Sequence, residues 1–233
     1  MFWLDPYFPV YLMVIAPGVL LGIYASIKVK STFARASKMP TQRNWAGKQV
    51  AQEILNAEGI SDVSIEPTQG YLGDHYDPRH KVLRLSPDVY NGRSIAAAGV
   101  AAHEVGHAIQ HARGYAPLSL RNTIVPVAVF GSNFSWIMII AGLGMGFMKL
   151  ALIGIALFTM VVLFQIINLP VEFNASRRAR QALVAHGLTT QVEDREIGKV
   201  LNAAAMTYVA ATITAILTLI YYLWRSGLIG GRR

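Results

Sequence analysis

The feature that most constrains this chain is a set of four apolar segments, each close to the roughly 20 residues that a helix needs to cross a bilayer. They cover approximately residues 7–27, 124–147, 150–169 and 206–224. Lys149 is the only formal charge between Arg121 and Glu172. The second and third segments therefore predict a helical hairpin with a tight turn at Met148-Lys149, and the lipid bilayer is the first predicted partner.

The composition supports a membrane protein. Charged residues make up 15% of the chain, whereas soluble domains carry about 25%. The chain has no cysteine, which excludes disulfides, thiolate metal sites and a cysteine nucleophile. Its net charge of +8 does not predict nucleic-acid binding, because no nucleic-acid motif accompanies it and membrane proteins collect Lys and Arg in their cytoplasmic loops.

The basic residues also predict an orientation. None precedes the first apolar segment, so we expect a retained anchor at 1–27 rather than a cleaved signal peptide. Many follow it, which places the N-terminus outside and a unit at 28–122 in the cytoplasm. The remaining predicted parts are a transmembrane hairpin at 123–169, a cytoplasmic helical segment at 170–205, and a transmembrane helix with its tail at 206–233. The three arginines of the tail do not fit this orientation, because it places them outside.

The unit at 28–122 shows mixed periodicities. Apolar spacing predicts a helix over 41–57, and short β-prone runs predict strands at 63–65 and 81–86. Ser94 is a suitable N-cap for a helix from residue 95 to about 112. The predicted fold is therefore mainly α: four transmembrane helices with a small α+β unit at the membrane surface.

The residues that carry chemistry are His103-Glu104-Val105-Gly106-His107. Two histidines four apart on a helix differ by about 40° in direction and about 6 Å along the axis, so both imidazoles can reach one ion. Zn²⁺ lowers the pKa of water towards about 7, and the glutamate beside the first histidine can take its proton. The motif predicts His103 and His107 as metal ligands and Glu104 as the catalytic base. The competing interpretation is a helix with two structural histidines.

A catalytic zinc site needs a third protein ligand. If the second and third apolar segments form a hairpin, the chain returns to the same membrane face near residue 169, and Glu172 is the first carboxylate there. No acidic residue lies between Glu104 and Glu172. We therefore expect Glu172 to be the third ligand, against the alternative of an interfacial glutamate paired with Arg177 or Arg178.

These motifs resemble those of membrane gluzincins. HtpX-type and CAAX-prenyl-type peptidases use the Glu of an E-x-x-A-D motif as third ligand; Glu172 and Ala175 match it, and Ser176 replaces the Asp. The runs D-H-Y-D-P, V-L-R-L-S, G-V-A-A-H-E-V-G-H-A-I-Q and L-P-V-E-F-N-A-S are similar to the YugP-like family of neutral zinc metallopeptidases of bacterial membranes. That resemblance spans roughly residues 5–225. It implies that the small α+β unit is a gluzincin-like zinc-peptidase unit. It also implies a multi-pass peptidase of the bacterial inner (plasma) membrane, with Zn²⁺ as cofactor and the ligands named above.

Four further residues are candidates for supporting roles. His75, with Tyr76, could stabilise an oxyanion, or residues 74–78 could simply form a turn. His111 lies about 12 Å along the helix from His103, too far to share its ion, so we expect it at the site rim. Ser176 could hydrogen-bond to a ligand, and Arg177 could bind a substrate carboxylate or serve only the positive-inside pattern.

Two patterns suggest partners. The strand at 81–86 could pair with substrate along a free edge, or it could be a core strand. The glycines at 142, 144 and 146 suit close helix packing or a homo-oligomer.

The function expected from the sequence is zinc-dependent hydrolysis of peptides or membrane proteins at the cytoplasmic membrane surface. The chief alternative is a non-catalytic scaffold or chaperone-like protein with a structural zinc, which would show four protein ligands. A transporter is less consistent, because the apolar segments contain no Asp, Glu or His for an ion path.

Overall fold

The computed structural model describes residues 6–69 and 73–230, and it is mainly helical with one small sheet. The elements, in chain order, are α1 Phe8–Ala36, α2 Gly47–Ala57, β1 Ser64–Pro67, β2 His75–Asp77, β3 Val82–Leu85, α3 Pro87–Tyr90, α4 Ile95–Ala112, α5 Ala116–Gly144, α6 Met148–Ala185 and α7 Gln191–Arg225. The predicted fold class is confirmed. The chain divides into two compact units: a membrane unit (residues up to 25, 120–169 and from 207 onward) and a metal-site unit (26–119 and 170–206).

The membrane unit draws on the four helices that are long and apolar enough to cross a bilayer, α1, α5, α6 and α7. Helices α5 and α6 form the predicted hairpin, but the position expected for its turn is wrong. Met148 and Lys149 belong to the first turn of α6, and the chain reverses just before them at Gly146. The reversal requires the φ of +71° that Gly146 adopts, which glycine reaches without a steric penalty.

Close backbone contact joins the two helices of the hairpin. A β-carbon on Gly142 would lie 2.3 Å from the amide nitrogen of Ala151, and one on Gly154 would lie 2.8 Å from the carbonyl oxygen of Ser135. Small residues let transmembrane helices approach in this way. Gly142 therefore serves packing within the chain, one of the two uses expected for its pattern.

The sheet of the metal-site unit has the order β1-β3-β2. Strand β1 pairs with β3 in parallel, and β2 pairs with β3 antiparallel, with Tyr76 opposite Leu83. The central position of β3 overturns the expectation that the strand at 81–86 offers a free edge, because hydrogen bonds occupy both its sides. The edge strands are instead β1 and β2, and β2 forms where the sequence suggested only a turn.

Helix α2 starts at Gly47, six residues later than the predicted helix. The preceding segment bridges through Pro40 to Ser94 and contains Asn44 with a positive φ of 51°, so it cannot continue a helix. The side-chain oxygen of Gln49 accepts the amide proton of Ala46 at 2.9 Å and closes the helix start.

Helix α4 runs through the core of the metal-site unit and has the predicted bounds. The hydroxyl of Ser94 accepts the amide proton of Ala97 at 3.2 Å, which caps the first turn. Its small residues, Ala96, Ala97, Ala98, Ala101 and Ala102, are all buried. A helix buried over most of its length places most of its polar residues in the interior. Here Glu104, His107 and Gln110 are buried, and His103 is partly buried.

Candidate metal centre

The two motif histidines face each other on α4. Their ring centroids are 4.9 Å apart with the ring planes at 83°. Glu172, on α6, places its Oε2 atom 3.3 Å from Nε2 of His103 and 3.7 Å from Nε2 of His107. One ligand atom from each of the three residues lies within 4.8 Å of the others. The structure thus brings together the three residues that the sequence predicted as ligands.

The long α6 carries Glu172 to the histidines. Apolar residues fill its first half, and its sequence continues past Pro170 as helix into the metal-site unit. Around Glu172 the helix buries Val171 and Ala175 completely. The alternative of an interfacial glutamate paired with an arginine is wrong, because Glu172 is buried against the two imidazoles. Arg178 donates to Asn174 instead, at 2.7 Å, and Arg177 is exposed.

The donor set fits a divalent cation. Glu172 is only 4% exposed, and its Oε2 has no hydrogen-bond partner within the described residues although it lies between two imidazole nitrogens. A buried carboxylate oxygen without a hydrogen bond is costly, and a cation held by the three residues would satisfy it. Two imidazoles and one carboxylate are the ligand pattern of catalytic zinc sites.

The Nδ1 atom of each imidazole also has a hydrogen-bond partner. Nδ1 of His107 lies 3.0 Å from Oε1 of Gln110. Nδ1 of His103 lies 3.1 Å from the hydroxyl of Ser176. Both Nε2 atoms are thereby turned towards Glu172. Ser176 occupies the expected supporting position, with a hydroxyl in place of the carboxylate that the related motif carries there.

Glu104 is buried beside this cluster, 8% exposed. Burial raises the pKa of its carboxyl to about 7; the charge of His103 opposes the rise and the charge of Glu172 adds to it. The charges of Asp74 and His75 act on it as well, which places the start of β2 within electrostatic range of Glu104.

His111 and Tyr76 join α4 to the edge strand. The phenol oxygen of Tyr76 lies 2.8 Å from Nδ1 of His111. Burial raises the pKa of Tyr76 to about 12, and the charges of Asp62 and Asp77 add to the rise, so the phenol keeps its proton. His111 is outside the ligand group, as its helical offset predicts.

His75 engages its neighbours through both ring nitrogens. Its Nδ1 lies 2.8 Å from the carbonyl oxygen of Gly73, and its Nε2 lies 3.5 Å from a guanidinium nitrogen of Arg84. An oxyanion role for His75 stays a prediction.

Arg177 and Arg180, two of the three arginines that follow Glu172 on α6, differ in their surroundings. Arg180 forms a double hydrogen bond with Asp194, at 2.8 and 2.6 Å. Arg177 is exposed and lines an open groove of about 780 Å³ between α6 and α7, together with Phe173, Ser176 and Leu201. Ser176 lines this groove and also lies 3.1 Å from Nδ1 of His103, so the groove borders the Nδ1 side of that ligand.

Sequence reasoning missed two residues, Gln110 and Asn174. Gln110 is fully buried and contacts His107, and Asn174 is 8% exposed and accepts from Gln110. The available signal was spacing: Gln110 lies three residues after His107, on the same helix face, and Asn174 follows Glu172 by two.

The comparisons with known proteins agree with this geometry. The profile of a family described as "Putative neutral zinc metallopeptidase" matches residues 11–227. The chain is also 45% identical over 213 residues to "Putative membrane protease YugP" of Bacillus subtilis (strain 168), covering 91% of this chain and 94% of that protein. No solved structure matches the chain.

Proposed function

The chain belongs to the family described as "Putative neutral zinc metallopeptidase", and from this premise we propose that it is a zinc-dependent membrane endopeptidase. It hydrolyses peptide bonds of membrane proteins or peptides close to the bilayer. In this proposal His103, His107 and Glu172 hold Zn²⁺, and Glu104 is the catalytic base.

One observation carries the proposal. Three metal-binding side chains from two helices converge within 4.8 Å in the interior, and the glutamate that follows the first histidine is buried beside them. The name of the Bacillus relative, a membrane protease, supports the same reaction.

The chain's own residues supply proton transfer and orientation. Bound Zn²⁺ would polarise the scissile carbonyl and acidify the attacking water. Glu104 takes a proton from that water and delivers it to the leaving amine, so that one water is consumed for each amide cleaved. Ser176 and Gln110 hold the two imidazoles with Nε2 towards Glu172. The raised pKa of Tyr76, in β2, keeps its phenol protonated, so the phenol can donate a hydrogen bond.

The position of the metal ligands along the chain suggests where the enzyme binds its substrates. Glu172 lies three residues beyond the apolar segment that ends near residue 169 of α6. A site so close to a span along one helix favours substrates in or near the membrane. By the positive-inside rule we place the site on the cytoplasmic side of the inner (plasma) membrane.

The scaffold alternative requires a closed structural site, which holds zinc with four protein ligands. Within residues 6–69 and 73–230 the only such cluster offers three, His103, His107 and Glu172. Three ligands leave a coordination position for water or substrate, which supports an enzyme.

The experiment compares three variants purified in detergent. We expect Glu104→Gln to keep one zinc per chain and to lose at least 100-fold in the cleavage of a mixed-sequence fluorescence-quenched peptide library, since general base catalysis contributes about 10²–10⁴-fold. His103→Ala should lose the zinc as well. Glu53→Gln, on the exposed face of α2, is the matched control and should behave as wild type. Full activity in zinc-loaded Glu104→Gln protein would refute the mechanism.

A further inference from the structure

Near the metal centre, both the amide nitrogen and the amide oxygen of Gln110 form hydrogen bonds. It is fully buried, and its amide makes three hydrogen bonds. Nε2 donates to the carbonyl oxygen of Val171 at 2.8 Å and to Oδ1 of Asn174 at 3.0 Å. Oε1 faces Nδ1 of His107 at 3.0 Å. One side chain on α4 thus contacts a metal ligand and also the stretch of α6 that contains Glu172.

The orientation of this amide follows from its partners. A backbone carbonyl can only accept a hydrogen bond, so the amide group facing Val171 must be the NH₂. Asn174 is oriented in the same way, because Nε of Arg178 can only donate and it lies 2.7 Å from Oδ1 of Asn174. Each assignment therefore rests on a neighbour that has one hydrogen-bonding role.

The orientation of the Gln110 amide determines the tautomer of His107. An amide oxygen can only accept, so Nδ1 of His107 must carry the proton. In the neutral ring Nε2 then holds the lone pair, and this is the nitrogen that lies 3.7 Å from Oε2 of Glu172. His103 has no such constraint, because the hydroxyl of Ser176 can either donate to its Nδ1 or accept from it.

We propose that Gln110 is a positioning residue that selects the metal-binding tautomer of His107 and ties α4 to α6 before the ion arrives. This inference rests on the proposed zinc site and deepens it. The two helices that supply ligands are joined by hydrogen bonds that need no metal, so the site is already assembled in the metal-free protein. Partners of metal-binding histidines are worth about 10–100-fold in metal affinity.

The first test replaces Gln110 by a side chain of similar shape without hydrogen bonds. We expect Gln110→Met to bind Zn²⁺ roughly 10–100-fold more weakly, measured by competition with a chelating dye in detergent. Gln52→Met is the matched control, since Gln52 is exposed and its amide donates to Oδ1 of Asn56 at 3.0 Å; it should keep the wild-type affinity.

The second test reads the tautomer directly in metal-free protein. With ¹⁵N-labelled imidazoles, at an alkaline pH where the ring is neutral, His107 in the wild type should show a protonated Nδ1 and an unprotonated Nε2, and His107→Ala assigns the signal. Gln110→Met should lose this preference. A contribution from packing alone would weaken zinc binding without moving the tautomer, so the nitrogen spectrum separates the two roles.

A second site keeps the proposal testable if Gln110→Met does not fold. Asn174→Asp retains oxygens that accept from Gln110 and Arg178, and it should keep zinc affinity within about threefold. Asn174→Leu removes them and should weaken binding by about tenfold or more.

The outcomes separate the two hypotheses. A wild-type protein that binds no zinc would overturn the proposed function itself. A wild type that binds zinc tightly, beside a folded Gln110→Met variant with the same affinity and an unchanged His107 tautomer, would overturn only the inference about Gln110. Should Gln110→Met fail to fold, equal zinc affinities in Asn174→Leu and Asn174→Asp would overturn it.

Discussion

A β-carbon on Gly106 would lie 2.4 Å from the carbonyl oxygen of Ala175. Gly106 stands between the motif histidines on α4, and Ala175 follows Glu172 by three residues on α6. The absence of a side chain at this one position therefore permits the close helix contact that brings the carboxylate to the imidazoles.

The variant Gly106→Ala tests this contact. Backbone atoms of Ala175 cannot move aside as a flexible side chain can, so the helices must separate. Overpacking of this kind costs about 1–3 kcal/mol, against about 1 kcal/mol that alanine gains over glycine within a helix. A net cost of up to about 2 kcal/mol remains, so we expect zinc binding to weaken by up to roughly 30-fold, measured by dye competition.

Gly99→Ala is the matched control on the same helix. A β-carbon there would meet the side chain of Ile197 at 3.2 Å rather than a backbone carbonyl. That side chain can adjust, so zinc affinity should stay near the wild-type value. Equal zinc affinities in both variants and the wild type would show that the contact between Gly106 and Ala175 does not position Glu172.

Two substitutions at Ser176 test whether its hydroxyl helps to orient His103 for metal binding. Removing its hydroxyl in Ser176→Ala deletes one neutral hydrogen bond, worth about 0.5–1.5 kcal/mol, and should weaken zinc binding by roughly 2–10-fold. Ser176→Asp provides an acceptor that fixes the proton on Nδ1 of His103 and should bind zinc at least as tightly as wild type. Ser37→Ala, at an exposed serine, serves as control; stronger binding by Ser176→Ala than by Ser176→Asp would contradict the assignment.

Metal removal should lower thermal stability. A ligand at 100 times its Kd stabilises the folded state by about 2.7 kcal/mol, which for a chain of this length corresponds to a Tm shift of roughly 5–11 °C. We expect a chelator to lower the Tm of the wild type by this amount and zinc to restore it, in a melting experiment in detergent. Glu172→Ala should melt at the same temperature with and without zinc; a persistent zinc-dependent shift in this variant would remove Glu172 from the ligand set.

The absence of cysteine makes membrane orientation directly measurable. Glu53→Cys is on the exposed side of α2, and Met145→Cys is at the turn between α5 and α6. If the metal site faces the cytoplasm, an impermeant maleimide should label Met145→Cys in intact cells and Glu53→Cys only after permeabilisation. The reverse pattern would place the site outside.

Local pattern determined much of this protein. Twenty-residue apolar runs specify membrane-crossing helices, because in lipid every backbone polar group must be satisfied within the helix. The bounds of α4 follow from Ser94 as its cap, and the four-residue spacing of His103 and His107 places their imidazoles on one face. Each of these features depends on residues within a few turns of one another, so periodicity and spacing were sufficient.

Features that depend on contacts between distant segments were less accessible. The hairpin turn lies at Gly146 rather than at Met148-Lys149, because the chain reverses through a positive φ that glycine adopts without a steric penalty. Strand β2 forms because β3 offers it a hydrogen-bonding edge, which a three-residue segment cannot reveal alone. Glu172 was predicted from chain topology, but its approach to the histidines depends on the bare backbone of Gly106 against Ala175.

Only the tertiary structure showed how the imidazoles are held. Gln110 appears in the sequence as an ordinary helix residue, and its amide acquires a role once Val171, Asn174 and His107 surround it. Helical periodicity is a property of neighbours along the chain. Which buried donor meets which acceptor is decided by the packing of two helices whose contact residues are more than sixty positions apart, and no local pattern encodes that distance.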